Sequence, residues 1–180
     1  NGSHTCARKA NGSIWCWGLN DVGQIGTGAV SAPHEAPVQA TVAGMDNIDV
    51  KVGSFHTCVR KTNKSVWCWG SNATLALGND AAGDPQLTAI KAGLESAEII
   101  SLTAGSFHTC AVKAEGSAWC WGESSVGQLG LGAPGGDVGI PTVVLDLSTG
   151  VTGIFGGGFG TCATKLDGSV WCWGDNKHGE

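Results

Sequence analysis

The residues best equipped for chemistry are cysteines and histidines at a fixed spacing. The stretch "HTCARKANGSIWCWG" (4–18) sets Cys6 and Cys16 on either side of nine residues and brackets the second with Trp15 and Trp17. Three chemistries suit such a set: zinc ligation, thiol redox exchange, or a disulfide. The pattern returns as "HTCVRKTNKSVWCWG", "HTCAVKAEGSAWCWG" and "GTCATKLDGSVWCWG". Its first cysteines are Cys6, Cys58, Cys110 and Cys162, each step being 52 residues (58 − 6, 110 − 58, 162 − 110). Zinc could draw on His4, Cys6 and Cys16, but that is three ligands, and C-x9-C is not a knuckle spacing. The fourth copy keeps Cys162 and Cys172 yet has Gly160 where the histidine would stand, so a metal is not what the copies share. The redox pattern C-x-x-C is absent.

The disulfide reading needs an element that positions both sulfurs, and the sequence supplies a β-hairpin. Pairing Cys6 with Cys16 places Thr5 opposite Trp17 and Ala7 opposite Trp15. In the other copies Val59, Ala111 and Ala163 face Trp67, Trp119 and Trp171. A small residue meets an indole at every such pair, which is the complementarity that cross-strand packing favours. Alternation puts the cysteines on one face and the tryptophans on the other. Directly opposed strand residues lie within disulfide reach, and closing so short a loop would stabilise by roughly 3 kcal/mol in the chain-entropy model. The expected pairs are Cys6–Cys16, Cys58–Cys68, Cys110–Cys120 and Cys162–Cys172; a bridge between repeats, such as Cys16 to Cys58, is the other pairing. The tips "ANG", "TNK", "AEG" and "LDG" read as three-residue turns with glycine in a left-handed position, and Lys64 departs from that pattern.

Each "WCWG" is followed by a Gly/Asn-rich turn ("LNDVGQIGTG", "SNATLALGND", "ESSVGQLGLG") and then by looser β-branched stretches without helical periodicity. "AGLESAEII" (92–100) could form a helical turn, but its counterparts do not, so a short strand is expected there. A unit of about four strands in roughly 40 to 50 residues has the size of a propeller blade. The expected fold is an all-β repeat, one region over 1–180 with repeats 1–52, 53–104, 105–156 and a partial 157–180.

Thirty glycines, eight tryptophans and no tyrosine in 180 residues reflect the copying of one unit. A net charge of −5 with no basic run leaves no electrostatic footprint for nucleic acid, and no apolar run approaches a membrane span. Four cysteine pairs favour an oxidising compartment, so an extracellular location, secreted or at a cell surface, is expected.

The blocks "GSFHTCAV" (105–112) and "GSAWCWGESSVGQLGLG" (116–132), with their counterparts, resemble the repeats of the regulator of chromosome condensation family. The resemblance covers essentially the whole chain. It implies a seven-bladed β-propeller, of which about three and a half repeats are present here. Two places depart from the family pattern: "ATLALG" stands where "VGQLG" is expected, and the paired cysteines are foreign to the nuclear members. That family includes an exchange factor for the GTPase Ran, but its particular loops and basic tail have no match here. It also includes a secreted inhibitor of β-lactamase.

No nucleophile elbow, paired carboxylates or calcium loop appears, so no catalytic residue, metal site or cofactor is expected. His4, His56 and His108 read as structural side chains bonding between blades, and the indoles as packing. Sequons begin at Asn1, Asn11, Asn63 and Asn72, and Asn11, Asn63 and Asn72 are the candidate glycosylation sites; Asn and Ser are equally good turn formers. Binding is expected in the variable segments "AVSAPHEAP", "NDAAGDPQL" and "APGGDVGIP" of a protein-binding or scaffolding module. The alternatives are a secreted protein inhibitor and a surface filament assembled through open edges.

Overall fold

The computed structural model describes residues 2–80, 83–94, 98–177 and 179. Its strands are β1 (His4–Arg8), β2 (Ile14–Gly18), β3 (His34–Gln39), β4 (Asn47–Val52), β5 (His56–Lys61), β6 (Val66–Gly70) and β7 (Gln86–Lys91). They continue as β8 (Ile99–Ala104), β9 (His108–Lys113), β10 (Ala118–Gly122), β11 (Val138–Val143), β12 (Val151–Gly156), β13 (Gly160–Lys165) and β14 (Val170–Gly174). All pair antiparallel in four sheets, β1-β2-β3, β4-β5-β6-β7, β8-β9-β10-β11 and β12-β13-β14. Sheets two and three are complete four-stranded blades. Their first strands, β4 and β8, come from the end of the preceding 52-residue unit, so blades and sequence repeats are out of phase.

The hairpin register is the one its packing logic demands. Thr5 faces Trp17, Cys6 faces Cys16 and Ala7 faces Trp15, and the same partners recur in the other three hairpins. Cys6 is bonded to Cys16, Cys58 to Cys68, Cys110 to Cys120 and Cys162 to Cys172, with Cα atoms 4.1 Å apart in every pair. Short strands joined by a covalent rung across their middle cannot slip register, because a slip would separate the sulfurs.

At the tip of the second hairpin Lys64 takes the left-handed conformation that Gly12, Gly116 and Gly168 take elsewhere, with φ of 67°. The turn is therefore kept at the cost of strain in a residue with a Cβ. The stretch 92–100 contains the start of β8 at Ile99, and its residues 95–97 lie outside the described ones. The first repeat instead has one 3-10 turn at Thr41–Ala43, which the alternation pattern did not signal.

Packing runs from sheet to sheet. The cysteine face of one blade meets the tryptophan face of the next: Ile14, Cys16 and Ile25 pack with Val59 and Trp69. Cys58, Val66, Cys68 and Leu77 pack in the same way with Ala111 and Trp121. The two faces of each hairpin thus serve two different seams, so the core is a series of layers between blades.

Candidate interaction surface

A polar rivet locks each seam. In the first, the carbonyl of Gln24 accepts hydrogen bonds from Trp69 Nε1 (3.0 Å) and Thr57 Oγ1 (2.7 Å). His4 Nε2 lies 2.8 Å from the same Thr57 hydroxyl. A hydroxyl has one proton, and here it goes to the carbonyl, so His4 must donate from Nε2. His56–Thr109–Ala76 with Trp121, and His108–Thr161–Gln128 with Trp173, repeat the arrangement at 2.8–2.9 Å throughout. The acceptor is a main-chain carbonyl, which explains why the sequence departure "ATLALG" does no harm. Ala76 replaces glutamine but offers the same oxygen.

The indole also dictates the neighbouring glycine. Gly26 has φ of 80°, and a Cβ there would lie 2.8 Å from Trp69 Nε1. Ile25, Leu77 and Leu129 beside these glycines are fully buried, so the turn after each "WCWG" is a plug set into the adjacent blade. Burial pushes the imidazoles of His4 and His108 down to about 4 and that of His56 to about 3, the latter helped by its two neighbouring histidines. These histidines are neutral, inward-facing structural groups. Among the described residues no cluster of three or more His, Cys, Asp or Glu could hold a metal ion, and every cysteine is in a disulfide.

The hairpin tips form one end of the structure. Asn11 Oδ1 accepts from Ser13 N and Oγ, Ser13 Oγ accepts from Trp15 Nε1 (3.1 Å), and Lys9 Nζ sits 3.7 Å above the Trp15 ring. Asn63, Glu115 and Asp167 play the part of Asn11 in the other tips. The indole series Trp15, Trp67, Trp119 and Trp171 is thus a partly exposed outer set capped by lysines rather than deep core, in contrast to Trp69 and Trp121. The sequence pattern grouped both series as packing, and their difference arises because a blade edge extends beyond its neighbour's cover.

Of the candidate glycosylation sites, Asn11 and Asn63 are at exposed tips, whereas Asn72 is buried and its Oδ1 accepts from Leu77 N (3.2 Å). Asn72 thus differs from the two tip asparagines: in the folded chain its amide oxygen helps shape the plug. Asn1 lies outside the described residues.

The opposite end carries the variable loops. Backbone bonds from Leu19, Ser71, Glu123 and Asp175 N to the carbonyls of Ser3, Phe55, Phe107 and Phe159 tie each loop to the inner turn beside it. Phe55 stacks on Phe107, and Phe159 meets Phe107 at a tilt, along these inner turns with centroids 5.9 Å apart in both pairs. The variable segments divide: 29–33, the described residues 79–80 and 83–85, and 133–137 are loop, while 34–37, 86–87 and 138–141 belong to β3, β7 and β11. The connecting segments at this end hold Asp21, Asp80, Asp84, Glu123, Asp137 and Asp175, and among the described residues one base, Lys177, which pairs with Asp175. Partial burial, reinforced by the charge of Glu123, raises the Asp137 pKa. Negative charge accumulates at the loop end while the lysines and arginines gather in the strands and tips. Sequence inspection alone missed this because the acids are scattered along the chain, and only the strand topology brings them to one end.

Comparison with known proteins agrees with this architecture. The description "Regulator of chromosome condensation (RCC1) repeat" matches residues 1–24, 48–73, 99–128 and 151–180, and a second such description matches 115–164. The human E3 ubiquitin-protein ligase HERC2 is 30% identical over 190 residues, covering 98% of this chain but 4% of its own length. The probable human ligase HERC6 is 29% identical over 185 residues, covering 98% and 18%. The chain thus spans a small part of these curated relatives. Among solved structures, human WBSCR16 superposes with a TM-score of 0.87 at 18% identity, covering 99% of this chain and 47% of that one. Yeast RCC1 (Prp20), solved bound to Kap60, gives 0.82 at 17% identity, covering 97% and 42%.

Proposed function

Starting from the premise that this chain belongs to the regulator of chromosome condensation (RCC1) repeat family, we propose that it is a disulfide-stapled interaction module that works outside the reducing cytosol and binds a basic protein surface through its loop end. The observation that carries the reading is the separation of labour between the two parts of the structure. The riveted seams make a rigid scaffold, and the variable, acidic loops project from one end of it. Relatives of the fold are solved with protein partners, as in yeast RCC1 bound to Kap60. Charge complementarity steers encounter and sets register, so a partner with a lysine- or arginine-rich patch fits the acidic end. Four cross-strand disulfides support an oxidising compartment, and a eukaryotic secretory route would also expose Asn11 and Asn63 to glycosylation.

Two measurements test this. Alkylation of native material followed by intact mass should show addition at eight sulfurs only after reduction. Thiols free without reductant refute the compartment. Cross-linking in the native extracellular fraction should capture a basic protein with the wild type. An Asp80→Lys/Asp84→Lys/Asp137→Lys variant should lose it, whereas a Lys9→Ala variant at the opposite end should keep it. Equal capture by all three proteins refutes the loop end as the binding surface.

A further inference from the structure

The inner turns of the loop end repeat a pairing that neither the seams nor the disulfides use. The carbonyls of Phe55, Phe107 and Phe159 each hold the first residue of the long loop beside them. In two turns that residue is an acid, Glu123 or Asp175. In the third it is Ser71, whose hydroxyl donates to Asp84 Oδ1 (3.0 Å), a carboxylate that also accepts from Asn72 N (2.6 Å). Blade two thus recovers, by folding its loop back, the carboxylate that its sequence lacks at position 71. Every ring in the row has an acid tethered to its own turn, through the backbone or through one hydroxyl.

The first sheet supplies the contrast. Its inner turn has Ser3 in place of the phenylalanine and Leu19 in place of the acid. Ring and carboxylate are lost together, although the backbone bond from Leu19 N to the Ser3 carbonyl (2.8 Å) and the hairpin register are kept. The turn therefore needs neither group for its shape. Phe55 and Phe107 belong to the two complete blades, each packed between neighbouring sheets, and both are still only half-buried. Their exposure comes from their place on the loop end, where no blade covers them.

An aromatic ring beside a carboxylate suits a cation carried on an apolar stem, since the ring attracts charge through its quadrupole and the acid supplies the counter-ion. Arginine meets both needs, because its planar guanidinium stacks on rings and bonds carboxylates in pairs. Glu123 Oε1 and Oε2 each accept one bond, from Ser125 Oγ (2.9 Å) and Gln128 Nε2 (3.2 Å), which orient the carboxylate and leave lone pairs to spare. The ring centroids are 5.9 Å apart, and two residues of an extended chain advance about 6–7 Å. Building on the reading of the loop end as a surface for basic proteins, we propose that its occupant is an extended segment with arginine at alternate positions. The segment lies across the inner turns, and successive arginines fall on Phe55 and Phe107.

The probe is a blocked synthetic peptide of alternating arginine and serine, titrated into the oxidised 180-residue chain by calorimetry. A second peptide of equal charge carries arginine at every fourth position. The wild type should favour the alternating peptide, and Phe55→Leu/Phe107→Leu, which keeps apolar bulk but removes the rings, should weaken it at least about fivefold. Glu123→Gln, which leaves both rings in place, should weaken it as well and serves as a second variant in case the double substitution disturbs the turns. Full binding by both variants, with loss in Asp80→Lys/Asp84→Lys/Asp137→Lys, overturns the ring-and-acid row while leaving the acidic loop end standing. Undiminished binding by that charge-reversed variant overturns the loop end itself, and the proposal with it. Equal affinity of the wild type for the two peptides overturns the proposal, as does binding of neither.

Discussion

Mild acid should destabilise this protein well above the range in which its carboxylates titrate, and three histidines set the amount. Burial holds His4 and His108 at about 4 and His56 at about 3, against about 6.5 in an unfolded chain. The folded state therefore binds fewer protons than the unfolded state between those values. The associated stability is present in full above pH 6.5 and is lost as pH falls toward 4. Between pH 7 and 5 each imidazole forfeits roughly 2 kcal/mol, and the three together about 6 kcal/mol. That is comparable to the whole stability of many domains, roughly 5–15 kcal/mol. Protonation is opposed geometrically as well. Each Nε2 already donates to a threonine, and Nδ1 of His4 and of His108 has no hydrogen-bond partner to receive a second proton. Urea unfolding at pH 7, 6 and 5 with disulfides intact should show the midpoint falling steeply, with a pH slope approaching three protons. In His56→Gln the slope should fall toward two. Equal midpoints at pH 7 and 5, or a slope untouched by His56→Gln, would refute the argument that the seam histidines are buried and neutral.

Two further outcomes follow from the seams and tips. Thr109→Val removes the hydroxyl that joins His56 Nε2 to the Ala76 carbonyl, leaving a buried donor unmet, and should cost about 1–3 kcal/mol in denaturant unfolding. Thr5→Val, at the exposed equivalent, should change stability by under about 0.5 kcal/mol. Lys64→Gly relieves a left-handed lysine at the second tip and should raise stability by about 0.5 kcal/mol, the relief being partly offset by the greater freedom of glycine when unfolded.

Local pairing was legible because its causes are local. Alternation, the repeated Cys–Cys spacing and the Thr or small residue opposite each Trp all act within one hairpin, so the register of His4–Gly18 and its copies follows from the residues themselves. The four-strand unit and the propeller class followed from the period. Three matters were not legible. The two tryptophan series look alike along the chain, yet Trp121 is buried against the Ala76 carbonyl while Trp119 lies at the rim under Lys113. Asn72 and Asn63 both head sequons, but one shapes a buried plug and the other an exposed tip. Nor was it legible which acids gather at the loop end, because Asp21, Asp84 and Asp137 are far apart in sequence.

The sequence by itself determined the hairpin, its staple and its repetition, since each depends on residues within a few positions of one another. Only the tertiary structure decided what the hairpin faces are for. A face acquires its role from the neighbouring blade, and that blade contributes residues some fifty positions away, as when His4 meets Thr57. The rivet depends on a main-chain carbonyl, a group every residue possesses, so its importance at Gln24, Ala76 and Gln128 leaves no mark in residue type.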